Sequence, residues 1–305
     1  MSDRVLWRGV VRHWQRGQAG HINIQHYAQI ADDCSRALGH ELGLDAQHAR
    51  SAGTVVRCAS EQFRFLVELV PGTAVFATGG VEEIIDGWIV HHGTVRRVLD
   101  DRTVCLFRRR IRPFRADGGG FADWAAPALE QAARLEIEPP DGPGPIVGPT
   151  SAVGGTETYR GTVEPHECNE FDLLLARGLW DKLTRALWAT QAAIGADRTT
   201  FRTLGLAGGA AVFDLTHHSQ ISLGTPLVIR TSVMEVRDKS LRMEHRVLNA
   251  QSEAVLVGAR YVLAFVDRSS GERAAIPTEI RRRAEALRAD HPRLTTENGR
   301  QHHLG

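Results

Sequence analysis

Two short stretches of this 305-residue chain gather side chains capable of chemistry. Trp14 to Tyr27 reads W-Q-R-G-Q-A-G-H-I-N-I-Q-H-Y and sets Gly20, His21, Asn23 and Tyr27 behind the amide Gln15. Pro165 to Leu173 reads P-H-E-C-N-E-F-D-L and carries the carboxylate Glu167, 152 positions after Gln15. A carboxylate can take a proton or attack a carbonyl, whereas an amide does neither at neutral pH. Glu170 and Asp172 are weaker candidates, because either suits the start of a helix, where negative charge is favoured. Asp32 and Asp33 fall on the polar side of a helical pattern and read as solvated or capping groups that could assist a reaction.

Arginine supplies a second kind of chemistry. Arg108, Arg109, Arg110 and Arg112 close a strand-like run, and side chains alternate along a strand. Arg108 and Arg110 therefore share a face, with Arg109 opposite. Guanidinium groups bind phosphates well, and equally they protect an exposed strand edge. Arg281, Arg282 and Arg283 carry the same two readings. The pairs His91-His92 and His217-His218 suggest a metal, but neighbours on a strand point opposite ways, so neither pair is expected to clamp one ion. Cys34, Cys58, Cys105 and Cys168 form no CxxC pair, and no metal site is expected.

These residues sit in a unit that occurs twice. Arg8-Gly9 and Val11 recur as Arg160-Gly161 and Val163; Gly72-Thr73 recurs as Gly224-Thr225; Val81 and Asp86 recur as Val233 and Asp238. The spacing is 152 residues each time, which marks a duplicated domain and not a solenoid. In the first copy an extended piece (5–14) leads through a glycine turn to a helix. Ile24, Tyr27, Ala28, Ala31, Cys34, Ser35 and Leu38 lie on one face of that helix. Alternation from Phe63 to Leu69 and strands over 75–85, 88–98 and 103–111 follow. In the second copy Leu175, Leu179, Leu183, Ala186, Leu187 and Ile194 mark the helix, and strands are expected over 212–223, 227–238, 240–249 and 254–267. The order is α+β and not βαβ. The expected organisation is domain 1 at 1–115, a connection at 116–157, domain 2 at 158–270 and a helix with a loose tail at 271–305. The connection holds a short helix and a Pro/Gly-rich segment over 138–155.

The two motif stretches and the element order resemble the hotdog-fold acyl-CoA thioesterases, of the 4-hydroxybenzoyl-CoA thioesterase kind. That family's signature is an acidic cluster before G-H-x-N-x-x-x-Y at the start of the central helix. The resemblance extends to the later P-G-T and L-G-T turns and to I-P-x-E-I-R-R after the last strand, and so covers most of both copies. It implies a tandem (double) hotdog, each copy an antiparallel sheet wrapped around a central helix, with the site between copies. Fusion holds the partner domain at high effective concentration.

The resemblance also implies roles. A carboxylate five residues before the motif glycine serves as base or nucleophile, and helix N-terminal N–H groups hold the oxyanion. Here the copies have complementary losses. Copy one keeps Gly20, His21, Asn23 and Tyr27 but has Gln15 at the acidic position; copy two has Glu167 there but Asp172 and Leu173 where the motif needs Gly and His. One competent site per chain is expected. Glu167 would act as base or nucleophile, and His21 and Asn23 would shape the opposite half. Gln15, Gly20, Tyr27, Arg108 and Arg110 would contact substrate. Trp88, Trp180, Trp188 and Phe213 read as core or interface before they read as an acyl tunnel.

Bulk properties narrow the alternatives. A net charge of +1 offers no field for nucleic acid or an anionic membrane. No apolar run is long enough to cross a bilayer, and the first residues lack a signal-peptide core. A cytoplasmic protein with reduced thiols is expected, free of metal and organic cofactor, binding acyl-CoA and able to assemble further as a homo-oligomer. Two rival functions remain: a hotdog hydratase or dehydratase, whose G-D-x-N-P-x-H run is absent here, and a non-catalytic acyl-CoA sensor.

Overall fold

The computed structural model describes residues 4–17, 20–44, 51–115, 117, 120–137 and 154–288. Most of the expected Pro/Gly-rich segment over 138–155, and the expected loose tail from His291 on, lie outside the described residues. Copy one runs β1 (Arg4–Val10), a 3-10 turn (His13–Gln15), α1 (Ile24–Glu41), β2 (Thr54–Phe65), β3 (Ala74–Ile85), β4 (Trp88–Arg97), β5 (Thr103–Arg115) and α2 (Ala126–Arg134). Copy two runs β6 (Thr156–Thr162), a second 3-10 turn (Pro165–Glu167), α3 (Ala176–Ala193), α4 (Arg198–Thr203), β7 (Leu206–His217), β8 (Pro226–Val236), β9 (Ser240–Asn249), β10 (Val255–Asp267) and α5 (Thr278–Ala286). Every element of copy one begins 152 residues before its counterpart, and the trailing helices α2 and α5 obey the same spacing.

All ten strands join one antiparallel sheet in the order β1-β3-β4-β5-β2-β7-β10-β9-β8-β6. The order reads the same from both ends once strands are matched by copy, so the sheet has an internal pseudo-two-fold axis. That axis passes through the β2–β7 seam, where Gln62 pairs with Asp214 between Glu61↔Leu215 and Phe63↔Phe213. The tandem hotdog expected from the sequence is the fold. α1 and α3 lie on the concave side and pack on each other. α1 buries Tyr27, Ala28, Ile30, Ala31, Cys34, Ser35 and Leu38, and its small residues bring it close to the strands. A single large core spans both copies, with Trp180, Phe63, Phe213, Tyr261 and Phe265 completely covered. α2 and α5 each close over a β3-type strand: Val81 N–H donates to Leu135 O at 2.9 Å, and Val233 N–H donates to Leu287 O at 3.3 Å.

Two strands start earlier than their residue pattern indicates. β2 starts at Thr54, not near Phe63, because Val55, Val56 and Cys58 break the alternation yet pair with β5. β7 starts at Leu206, not Val212. Its first turn of sequence is Gly208-Gly209-Ala210-Ala211, which has no apolar period. Gly208 is needed there, because a Cβ would stand 2.5 Å from the Phe201 ring packed over the strand.

Two histidines are fully buried in the sheet. His91 donates from Nδ1 to Gly80 O at 3.0 Å, and His245 meets the Thr231 hydroxyl at 2.6 Å. Burial pulls each ring down to about 3. Unfolded, each ring has its ordinary value near 6.5 and binds a proton more readily. The stability they contribute is therefore complete above pH ~6.5 and declines as pH falls towards 3. Urea titrations should lose about 1.4 kcal/mol per pH unit for each ring below that point, and the slope should fall by about one ring's share in His245→Gln.

Candidate active site between the copies

A cleft of about 360 Å³ opens where copy one meets copy two. One wall is the outer half of α1 and the first half of β2. The other is the loop 169–175 that leads into α3, together with the segment 217–221 after β7. The loop is set by Asn169, whose Oδ1 accepts N–H groups from Phe171 and Leu173, both at 3.0 Å. Asp172 takes a left-handed turn position, φ +57°, where the first copy has Gly20 at φ +99°. α3 starts at the cleft with Leu175 as N-cap and no side chain capping it. The first N–H groups of such a helix lack internal partners, and its dipole favours negative charge there.

A chain of buried charge crosses the floor. Glu61 of β2 and Arg109 of β5 are almost fully covered, 1% and 3% exposed. Arg109 Nε lies 3.2 Å from Glu61 Oε2, and its Nη1 donates to Ser35 Oγ at 2.8 Å and Asp32 Oδ1 at 3.2 Å. His217 Nε2 sits 2.9 Å from Glu61 Oε1, so residues from both copies meet on one carboxylate. Burial pushes the Glu61 carboxyl up, but the Arg109 guanidinium and the His217 hydrogen bond outweigh it and hold the group below its usual range. Burial likewise opposes the Arg109 charge, and Glu61, Cys58 and Asp32 together raise it above the ordinary arginine value.

Cys58 Sγ, Glu61 and His217 place their donor atoms within 4.8 Å of one another, a set that chemically suits a soft divalent ion. Arg109 occupies the same carboxylate, however, and would stand beside any such cation. The Cys58 thiol is pushed up to about 12, mainly by burial. The arrangement therefore favours a paired carboxylate and imidazole.

The residues singled out by sequence lie elsewhere. Glu167 is buried beside a smaller cleft lined by Gln25, His26, Gln29, His166, Arg177 and Asp181. Both its oxygens meet Lys182 Nζ, at 2.5 and 2.7 Å, and Oε2 accepts the Glu164 N–H at 2.9 Å. Burial raises this carboxyl, but Lys182 and the Glu164 N–H outweigh it, and the group lies below its usual range. Gln15 makes the matching bond in copy one, Oε1 accepting the Arg12 N–H at 2.7 Å. The position therefore closes a 3-10 turn in both copies, whether it carries an acid or an amide.

Copy one's motif also builds its turn. His21 contacts Ile22 O at 3.1 Å and Glu68 at 3.4 Å. Asn23 occupies the N-cap position of α1 without a side-chain capping bond, and its Oδ1 accepts the Thr184 hydroxyl of α3 at 3.4 Å. Tyr27 donates to Val67 O at 3.4 Å and packs edge-on to Phe65. Arg108 and Arg110 lie on the face of β5 opposite Arg109. Glu82 and Glu83 bind Arg108 at 2.8 and 3.0 Å, and Arg110 stacks on Trp88. Neither lines the larger cleft; Arg36, His40 and Arg57 do. Trp180 and Phe213 are core, as expected, and Trp188 is half-buried on α3.

The duplicate of the charged floor is aromatic. At the same 152-residue spacing Glu61 becomes Phe213, Arg109 becomes Tyr261, His217 matches Phe65 and Asp32 becomes Thr184. Phe213 and Tyr261 stack at 4.8 Å, Trp180 leans on Phe213 at 4.9 Å, and Phe65 lies against Tyr27 and Phe63. One crevice is charged and open, and its counterpart is filled with rings. Comparing the two copies position by position carries this signal in the sequence; searching for a family motif does not.

Residues 163–284, most of the second copy, match the family described as the Thioesterase-like superfamily. No curated protein sequence matches the chain. Among solved structures, a putative oleoyl thioesterase from Lactobacillus plantarum superposes with a TM-score of 0.68 at 10% identity, over 86% of this chain and 97% of its own. The 12:0-ACP thioesterase from Umbellularia californica gives 0.64 at 9%, over 84% and 92%. An acyl-ACP thioesterase from Bacteroides thetaiotaomicron gives 0.60 at 8%, over 84% and 96%. The expected resemblance holds: the second copy carries the thioesterase-like family sequence, and both copies together have the hotdog fold of these thioesterases. No helix among the described residues is long and apolar enough to cross a membrane.

Proposed function

We propose that the chain is a thioester hydrolase that cleaves an acyl-CoA to free acid and coenzyme A in the cleft bounded by α1, β2 and the loop before α3. One observation carries this reading. In a chain of thioesterase-like sequence and fold, this cleft combines an apolar wall, a buried polar floor drawn from both copies, and the N-terminus of α3, which no side chain caps. Leu44, Val56, Leu174, Leu179 and Ile221 offer the acyl chain an apolar wall, and Arg36, His40 and Arg57 offer cationic contacts to a phosphate-bearing thiol. The oxyanion of the tetrahedral intermediate would lie at the start of α3, where the helix dipole favours negative charge and no side chain caps the first turn. Glu167, expected as the base, is assigned here to shaping the loop before α3, because Lys182 and the Glu164 N–H already hold its carboxylate.

Free-thiol release from a panel of acyl-CoAs, alongside acyl-ACP and an enoyl-CoA, tests the reading. Turnover of acyl-CoA is expected. Release from acyl-ACP alone would correct the thiol carrier. Hydration of the enoyl-CoA, or tight binding with no turnover, would replace the hydrolase by a hydratase or a sensor. Glu167→Gln is expected to lower stability by breaking its pair with Lys182, while keeping kcat of the folded protein within about threefold.

A further inference from the structure

The hydrolase reading leaves water activation unassigned, and the cleft floor contains a group suited to it. We propose that His217 is the general base and acid of the reaction, with Glu61 of the other copy as its positioning residue. This rests on the hydrolase reading of the same cleft. His217 Nε2 is engaged with Glu61 Oε1 at 2.9 Å, so the Nε2–H tautomer is the one that donates to this carboxylate. The second ring nitrogen, Nδ1, has no hydrogen-bond partner among the described residues, and His217 lines the cleft. Glu61 is fixed in turn by Arg109, which is bound to Ser35 and Asp32. A base oriented by a buried carboxylate that is itself held by a third group has the logic of catalytic triads, here applied to water.

The proton balance is simple. Nδ1 takes a proton from water as its oxygen bonds to the thioester carbon, and the developing oxyanion faces the first N–H groups of α3. Collapse breaks the C–S bond. Nδ1 returns the proton to the departing sulfur, releasing acid and thiol with the ring neutral again. The arrangement occurs once per chain because the duplicate positions are Phe65, Phe213 and Tyr261. The groups that share the cleft with His217 and set its field are Asp32, Arg36 and His40 of α1, Arg57, Cys58 and Glu61 of β2, Arg109 of β5 and Glu170 of the loop before α3. His218 follows it, just beyond the end of β7.

The experiment compares wild type, His217→Ala and Glu61→Gln by thiol release across pH, with a thermal melt to confirm folding. His217→Ala should lose about a hundredfold or more in kcat, with KM changed far less. It should also lose the acidic limb of the kcat/KM profile, and added imidazole should restore part of the rate. Glu61→Gln should lower kcat more than it changes KM, because an amide can also donate to the ring and no longer fixes its tautomer. If Glu61→Gln fails to fold, the imidazole rescue of His217→Ala decides alone. A folded His217→Ala with wild-type kcat and an unchanged limb overturns the assignment while hydrolysis stands. A wild-type chain that releases no thiol overturns the hydrolase reading itself.

Discussion

Arg109→Met should destabilise the protein by about 3–5 kcal/mol at neutral pH, the loss expected when one partner of a buried ion pair is removed. Methionine fills a similar volume, so the effect is electrostatic. Glu61, 1% exposed, keeps His217 and the Trp180 indole but loses its only buried cation, while Asp32 and Ser35 lose their shared donor. The sign of the pH dependence distinguishes this from a packing defect. In the wild type the Glu61 carboxyl lies below its ordinary value, so its stabilisation is present above the unfolded carboxyl pKa and fades as pH falls through the folded one. Without Arg109, burial dominates and the folded carboxyl moves above its unfolded value. Protonation then relieves the variant, and its deficit should narrow between pH 7.5 and pH 5. Urea unfolding at both pH values measures this, and a deficit that is constant with pH would point to lost packing. Glu61→Gln combined with Arg109→Met should recover part of the loss, because the isolated charge is gone.

The combined variant Glu61→Phe, Arg109→Tyr, His217→Phe should fold and lose turnover by at least about a hundredfold. It writes into the open crevice the residue types that fill its duplicate. Phe213 and Tyr261 stack at 4.8 Å under the same strand arrangement, so the fold already accommodates such rings at these strand positions. Replacing a buried ionic group by packed apolar residues is commonly neutral or stabilising by about 1–4 kcal/mol. Stability within a few kcal/mol of wild type is therefore expected, together with loss of acyl-CoA binding as the cleft closes. Thermal melts and thiol release read the two outcomes separately. A variant that still hydrolyses thioesters at the wild-type rate would mean that chemistry occurs outside this cleft, with the Glu167–Lys182 neighbourhood next to examine.

Local physics explains how much of this was legible from residues alone. The central helices follow from a 3.6-residue apolar period, and most strands from alternation. The turn at Asp86-Gly87 follows from residues that accept positive φ, observed at +51° and +74°. Where period was absent, as at Gly208 to Ala211 or Thr54 to Cys58, the strand is imposed by its neighbours, and sequence reading starts it late. The site was less legible for a different reason. Glu167, His21, Asn23 and Gln15 stand where a family motif puts chemistry, yet each spends its polar atoms on its own turn or on the neighbouring helix.

The sequence by itself determined that one unit occurs twice, that each unit is a helix embraced by antiparallel strands, and that the copies have diverged in their polar residues. Those properties depend on near neighbours and on a constant spacing. Only the tertiary structure decided which of the diverged polar residues come together. Asp32, Glu61, Arg109 and His217 come from four elements in two copies, and they meet because the β2–β7 seam and the packing of α1 bring them together. Their chemistry comes from burial: the same carboxylate and guanidinium in water would be an ordinary, weakly coupled surface pair.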